Sequence, residues 1–372
     1  MASSGASGGE PVHFGWFIPT AGDSVLLGDR DNRMPPSMDL FIDVARAAED
    51  AGFEYALVPV EVGCWEAWIT CSMIAARTKR LKPLLAVRPG YIVPTMMAKM
   101  VSTFDQLTEG RLSLNLIAGP GGAQQAMDGI TYGHDERYEV MDEAVQIMKC
   151  VWTESDPVTY RGRHYQTEGA VVLPRPYQQP HPPFYIGGES EAAQEVGAKH
   201  ADAYLFWGDT VEKTAEKIET IRARAAAYGR TGELKFGMRL QVVVRDTEDE
   251  AWDAAAALIA QTTDEHRTNR EHRWAESQAN DRMWELGKLE DFRVAPHLWS
   301  GITPVRTGAG VAVVGNPQQV AETLDQFIEI GCTEFCLSGN PHAREATRFG
   351  ELVMPYFAER RAPELVAAPP AR

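Results

Sequence analysis

Positive charge is scarce in this chain. Its 36 lysines and arginines face 52 aspartates and glutamates, for a formal net charge of −16 and a pI near 5.1. So acidic a surface repels phosphate backbones and anionic headgroups, which argues against nucleic acid or a membrane surface as partner. No run approaches the roughly 18 consecutive apolar residues of a membrane span. The cysteines, Cys64, Cys71, Cys150, Cys332 and Cys336, are odd in number, with no CxxC spacing and no paired framework. A reduced, cytoplasmic setting is expected on that basis. Nine histidines show no metal-ligand spacing; His266 and His272, six apart, do not share a helix face, so no metal site is expected. Walker, GxGxxG and GxSxG signatures are all missing, and Gly119-Pro120-Gly121-Gly122 is a loop signal rather than a dinucleotide signal. The start, 1–10, is rich in Ser and Gly and has neither a basic region nor an apolar core. It reads as a flexible tail and not as a signal peptide.

What is present is an alternation of strand and helix patterns. A chain of 372 residues, 44% hydrophobic, can bury one large α/β barrel or two smaller domains. Strand patterns occupy 13–18, 55–58, 84–87, 111–118, 185–186, 203–206, 236–244 and 335–337. Helix patterns cover 38–51, 66–78, 94–107 and 137–152, and others begin near Ser190, Thr210, Thr247 and His342. A hairpin pattern at 158–173 and a Pro-rich connector precede the fifth strand. Eight βα units without a domain-sized linker predict an α/β fold, a (β/α)8 TIM barrel spanning 12–358, with flexible tails at 1–11 and 359–372. Two separate α/β domains are the alternative. Between strands seven and eight, 252–289 is a long charged helical run that leads through 292–302 to Pro304. Insertions of this kind serve as lids or interfaces, or are solvated excursions without function.

Chemistry on such a barrel belongs at the C-terminal ends of the strands. Those ends supply Thr20, Asp23, Cys64, Trp65, Arg88, Asn115, Gly119, Trp207, Ser338, Gly339, Asn340 and His342. Arg239 and Gln241, two apart on strand seven, share one face, and Arg306 can join from the insertion. The predicted pocket is rich in Arg, Trp and amides and poor in carboxylates. Two arginines aimed into it suit an anionic group, or else form structural ion pairs. Around Gly187-Gly188-Glu189-Ser190, a short strand meets a helix start. Glycines admit an anion close to backbone N–H groups and the helix N-terminus favours it, so the stretch reads as a phosphate cradle or as a plain capped βα turn.

In order along the chain stand Trp16-Phe17-Ile18-Pro19-Thr20, Cys64-Trp65-Glu66-Ala67-Trp68, Val87-Arg88-Pro89, His134-Asp135-Glu136-Arg137-Tyr138 and Gly187-Gly188. They continue in Tyr204-Leu205-Phe206-Trp207-Gly208, Gly237-Met238-Arg239-Leu240, Val305-Arg306-Thr307-Gly308-Ala309-Gly310 and Leu337-Ser338-Gly339. With these, the chain resembles the bacterial-luciferase-like flavin monooxygenases, and among them the reduced-FMN-dependent alkanesulfonate monooxygenases. The resemblance implies a two-component enzyme: an NAD(P)H-dependent flavin reductase supplies reduced FMN, which meets dioxygen in this barrel. It assigns Gly187, Gly188 and Ser190 to the FMN phosphate, with Asn115 and Tyr138 as further cofactor neighbours. Cys64 matches a cysteine near the flavin, and Arg239, Arg306, Trp207 and His342 match a sulfonate-lining set. A homo-oligomer, dimer or tetramer, is implied as well.

Three departures from the resembled pattern bear on substrate. Ala21 and Gln241 stand where it has histidines, and Asn340 where it has tyrosine; apart from these three, Glu189 replaces a serine of the cradle. Glutamine and asparagine hydrogen-bond but do not titrate near neutrality, so a proton-handling role is lost at those positions. The expected function is oxygenation of a small organic anion, a sulfonate cleaved to aldehyde and sulfite, with Arg239, Arg306, Gln241, Asn340 and Cys64 as the reacting set. A different substrate, a non-catalytic flavin-binding relative and a deazaflavin-dependent oxidoreductase remain the alternatives.

Overall fold

The computed structural model describes residues 10–28, 33–119, 122–262, 277–306 and 308–361. Eight parallel strands close into a barrel: β1 (His13–Phe17), β2 (Tyr55–Val58), β3 (Lys82–Val87), β4 (Ser113–Leu116), β5 (Phe184–Ile186), β6 (Ala203–Trp207), β7 (Lys235–Val244) and β8 (Cys332–Ser338). Each pairs with its sequence neighbours, and β1 pairs with β8 to close the ring. The expected (β/α)8 barrel is the fold. Its outer helices are α1 (Met38–Asp50), α2 (Ala67–Ala75), α3 (Pro94–Leu107), α4 (His134–Thr153), α5 (Glu191–His200), α6 (Val211–Ala227), α7 (Pro317–Glu329) and α8 (His342–Leu352).

Local chemistry explains where helices start. Ser37, Ser190, Thr210 and Asn316 each cap a helix by accepting a backbone N–H through the side chain, and Pro94 and Pro317 open α3 and α7 without needing a donor. Strand alternation then sorts the two faces. Phe14 and Trp16 of β1 point outward into the layer under the helices, where Phe14 packs on Phe335, Phe349 and Phe357 at 5.2–5.7 Å. Facing the barrel axis are Tyr55, Leu57, Leu84, Ala86, Tyr185, Ala203, Leu205 and Cys336. Gly15 is part of that packing, because a Cβ there would lie 2.0 Å from the Tyr55 ring.

β7 is longer than its neighbours, and this reshapes the segment before β8. Its lower half pairs with β6 and β8, while 241–244 rise above the barrel and pair with a strand at Ala312–Gly315. Leu298–Trp299 and Arg293–Ala295 extend that sheet antiparallel. The helix expected near Thr247 forms as Glu248–Ile259 behind a capping box, but the helix that leads into β8 is α7. The added strands, two to four residues long, are too short to carry a periodicity in the sequence. Within the region expected as a lid, 263–276 lie outside the described residues, and the rest forms this small sheet together with helix Gln278–Leu286. Of the expected tails, 1–9 and 362–372 lie outside the described residues. Residues 10, 11, 359 and 360 are exposed; the Arg360 carbonyl accepts the Val12 backbone N–H at 2.8 Å, at the end of a 3-10 helix over 354–360. No helix among the described residues is long and apolar enough to cross a membrane.

Candidate functional site

The strand ends open into two chambers that share a wall. The larger, a cavity of about 600 Å³, lies between the loops after β1 and β2, the end of β7 and the start of α8. The smaller, about 270 Å³, lies over β3 to β6. Leu57, Glu61, Trp207, Arg239 and Gly308 border both.

Arg239 sits at the end of the β6–β7 pairing and is 6% exposed. Its guanidinium donates to Leu240 O at 2.7 Å and to Ser338 Oγ at 2.9 Å. Among the described residues it has no carboxylate partner within ion-pair distance. Burial pulls its pKa down to about 10, which leaves it protonated at neutral pH. Arg306, also pulled down by burial, is likewise without an ion pair among the described residues. Both guanidinium groups stand over the Phe17 ring, at 4.7 and 5.0 Å from its centroid. Two cations without an ion-pair partner among the described residues, Arg239 buried and Arg306 half-buried beside a cavity, suit an anionic group.

Beside them lies a pair of opposite character. Asp23, 3% exposed, accepts the His342 backbone N–H at 2.7 Å, His342 Nδ1 at 2.8 Å and the Ser24 N–H at 2.8 Å. Burial alone would raise the Asp23 carboxyl, but the His342 ring and these donors overrule it and hold the group below its ordinary value. His342 is likewise held below its ordinary value. Burial lowers its pKa, Asp23 counters, and Arg306 and Arg239 lower it further. Its Nε2 is buried and without a partner among the described residues, and the residue lines the larger chamber. Asn340 also lines it; its Nδ2 makes only long contacts of 3.4 Å to Asp23 and Ser24 O, and its Oδ1 has no partner.

Other expected site residues take different places. Gln241 is 1% exposed and borders neither chamber. It accepts from Ser338 Oγ at 2.7 Å and donates to Ala309 O at 3.3 Å, tying Arg239 through Ser338 to the loop that carries Arg306. Cys64 lines the larger chamber with its thiol pushed up by burial, so it is not a thiolate near neutrality. Trp65 is 48% exposed and packs edge-on against Phe41, away from both cavities. The expectation of a pocket poor in carboxylates is corrected: Asp23 and Glu61 both stand on the wall. Glu61 escaped the inventory because it lies in an irregular loop beyond the end of β2.

The smaller chamber gathers Asn115, Tyr138, Gly187 and Gly188, all expected there, with Arg88, Glu189, Ser277 and Asn280. At Gly188, with φ +154°, a Cβ would meet the Ala193 Cβ at 2.5 Å and the Tyr138 hydroxyl at 3.4 Å, so the cradle has no room for a side chain. The Tyr204 hydroxyl donates to Gly188 O at 2.7 Å and fixes the loop. Ser190 is buried behind that loop, where its hydroxyl caps α5 by accepting the Ala193 N–H at 3.3 Å. Arg88 is 5% exposed, and its Nε and the Asn280 Oδ1 are buried without partners. Sequence reasoning found no reason to place Ser277 or Asn280 here. They arrive because Asp209, at the end of β6, takes Arg282 of helix Gln278–Leu286 in a two-pronged pair at 2.8 and 2.9 Å. Lys217 bridges Asp209 and Glu189 at 3.3 and 2.9 Å. Among the described residues no cluster of His, Cys, Asp or Glu could hold a metal ion.

A glycine cradle bounded by a tyrosine hydroxyl, an asparagine and a buried arginine with a spare donor matches the chemistry of a phosphate-bearing cofactor tail. Comparison with known proteins agrees on the fold. A riboflavin lyase structure with modified FMN and riboflavin is 21% identical with a TM-score of 0.76, covering 98% of this chain and 94% of that one. The EDTA monooxygenase of Chelativorans sp. BNC1 is 15% identical with a TM-score of 0.76, covering 97% and 99%. A coenzyme F420-dependent tetrahydromethanopterin reductase from Methanopyrus kandleri, 19% identical with a TM-score of 0.64 over 93% and 99%, shares the architecture with another cofactor. The model of the luciferase-like monooxygenases matches residues 12–334, nearly the whole barrel. The chain belongs to the luciferase-like monooxygenase family and is an oxidoreductase of that kind.

Proposed function

We propose that this protein uses reduced FMN and dioxygen to oxygenate a small organic anion, a sulfonate whose C–S bond is cleaved to give an aldehyde and sulfite. The observation that carries this reading is the pair Arg239, buried, and Arg306, half-buried, both without a carboxylate ion-pair partner among the described residues and on the wall of a cavity beside Phe17. Two guanidinium forks match the oxygens of a sulfonate head. Trp207 and Leu57, on the shared wall, shape the passage between anion and cofactor. Arg88, Asn115, Tyr138 and the Gly187-Gly188 backbone would hold FMN, with Ser190 supporting the loop from behind. When bound, reduced FMN supplies the electrons that activate dioxygen; the protein supplies orientation, charge and dryness. Gln241 acts by position, holding the Arg306 loop against Arg239, and Asn340 and His342 complete the wall around the anion. Ser277, Ala279 and Asn280, at the start of helix Gln278–Leu286, border the smaller chamber and would keep water from it.

Two partners belong to this reading. One is the flavin reductase. The other is a second copy of this chain, seated on α2 and the start of α3. Helix α2 reads Ala-Trp-Ile-Thr-Cys-Ser-Met-Ile-Ala, apolar on nearly every side, and leaves Ile69 69% exposed; at the start of α3, Val93 is 60% and Met96 50% exposed. A helix apolar all round belongs in an interior.

Purified protein with a flavin reductase, NADH, FMN and a panel of sulfonates tests the function. Sulfite release that disappears in Arg306→Ala supports desulfonation. A silent panel, with oxygenation of another compound, rejects the sulfonate while keeping the oxygenase. Activity with a deazaflavin and none with FMN rejects the cofactor.

A further inference from the structure

We propose that the substrate's oxyanion is captured together with a proton taken up at His342 Nε2, and that Asp23 is the positioning residue that makes this possible. The inference rests on the anion reading of Arg239 and Arg306 and adds a third donor to it. It also restores a titratable group to a pocket in which Ala21, Gln241 and Asn340 cannot serve.

The tautomer follows from the partners. Asp23, held ionised by its donors, can only accept, so His342 Nδ1 carries a proton and donates it across 2.8 Å. In the neutral ring, Nε2 is then a bare lone pair, buried and unpartnered among the described residues, on a side chain that lines the chamber holding Arg239 and Arg306. A lone pair repels an oxyanion. One added proton turns it into a charge-assisted donor, and the imidazolium formed is stabilised by the carboxylate behind it. Arg239, Arg306 and His342 then present three positive donors, which suits a tetrahedral head with three oxygens better than a carboxylate with two.

The groups facing the ring set the direction of the coupling. Asp23 approaches from the loop after β1, Arg239 from β7 and Arg306 from the connection between β7 and β8. The Phe17 ring lies 5.8 Å away, and Asn340 stands beside Asp23. Glu61 and Cys64 lie beyond, near Arg306. On α8 itself, Glu345 is occupied by Arg245 and Arg348. In the free site, burial and the two guanidinium groups hold the ring below its ordinary range, so it is neutral at neutral pH. A bound anion offsets those cations and raises the ring's pKa. By linkage, affinity is constant below the free-site pKa, falls about tenfold per pH unit between the free and bound values, and levels off above both.

Calorimetric titration of the flavin-free protein with octane-1-sulfonate tests this, in Tris, bis-Tris and imidazole, which lack sulfonate groups. Between the two pKa values, binding is expected to take up close to one proton, read from the dependence of heat on buffer. His342→Gln should bind with no uptake and a flat affinity–pH profile. Asp23→Asn should move the decline in affinity to lower pH by about one unit, and Asp23→Glu should restore it. NMR titration of the His342 ring in the unmodified protein, with and without octane-1-sulfonate, gives the same shift without a substitution. Binding without uptake, or uptake that persists in His342→Gln, overturns the inference and leaves the anion site standing. No binding from about pH 5.5 to about 8.5 overturns both, since the ring and the arginines would then serve no anion.

Discussion

At the scale of single residues, the serine beside the glycine cradle shows how one side chain can be claimed by two functions. As a phosphate ligand, Ser190 would face the smaller chamber; in the structure it is buried, and its hydroxyl holds the first turn of α5. Ser190→Ala is therefore expected to cost about 1 kcal/mol of stability through the lost cap, measured by chemical denaturation, and to change FMN affinity less than Tyr138→Phe does. A Ser190→Ala protein that unfolds like its parent but binds FMN tenfold more weakly would assign the hydroxyl to the cofactor instead. Gln241 makes a similar point. Glutamine on an inward strand position reads as a substrate contact, yet both ends of its amide are consumed between Ser338 and Ala309. Its expected effect is on where Arg306 sits, so Gln241→Ala should weaken anion binding while Arg239 remains protonated.

At the scale of elements, helix Gln278–Leu286 is held over the barrel mouth by the buried Met283 and Leu286 and by charge. Asp209 is fully buried, and Arg282 and Lys217 are its cations. Burial alone would raise the Asp209 pKa, but Arg282, Lys217 and the Thr210 N–H bring it below its ordinary value. A carboxyl depressed in the folded state stabilises at pH above its unfolded pKa, and that contribution fades as pH falls through the folded one. Removing one partner leaves a buried charge less well compensated, a loss of about 3–5 kcal/mol for fully buried pairs. Arg282 is partly exposed, so a smaller loss is expected for Arg282→Ala. Hydrogen exchange should locate it: faster exchange in 278–286 with little change in α1 or α8. If the helix covers the cofactor, the same variant releases more peroxide per NADH consumed. Unchanged exchange and unchanged peroxide would mean that the pair does not hold the helix down.

At the scale of the whole molecule, the barrel satisfies its own core but leaves one flank apolar. Trp65, Ile69, Met73, Val93 and Met96 are all more than a third exposed. Ile69→Glu places a charge in the middle of that flank. The expected outcome is a monomer by sedimentation or light scattering where the parent is a dimer, with the thermal transition nearly unchanged because Ile69 touches little of its own chain. A parent that is monomeric at tens of micromolar by the same measurement rejects the second-copy reading.

Much of this protein was legible in the order of its residues. The barrel was, because eight apolar runs alternate with capped, amphipathic helices, and period, cap and turn are local properties that a sequence carries directly. The candidate site residues at strand ends were legible for the same reason: once the strands are placed, Arg239, Asn340 and His342 fall at the mouth by counting. Tertiary structure decided which of them meet. Asp23 and His342 stand far apart in sequence and become one hydrogen-bonded pair only when β1 and β8 close the ring. Glu61 and Ser277 reach the chambers on irregular chain, for which no periodicity exists, and Asn280 on a helix whose place is set by the Asp209–Arg282 pair. Whether an arginine is a structural ion pair or a waiting cation depends on what lies within 4 Å of it, a distance that no spacing along the chain encodes.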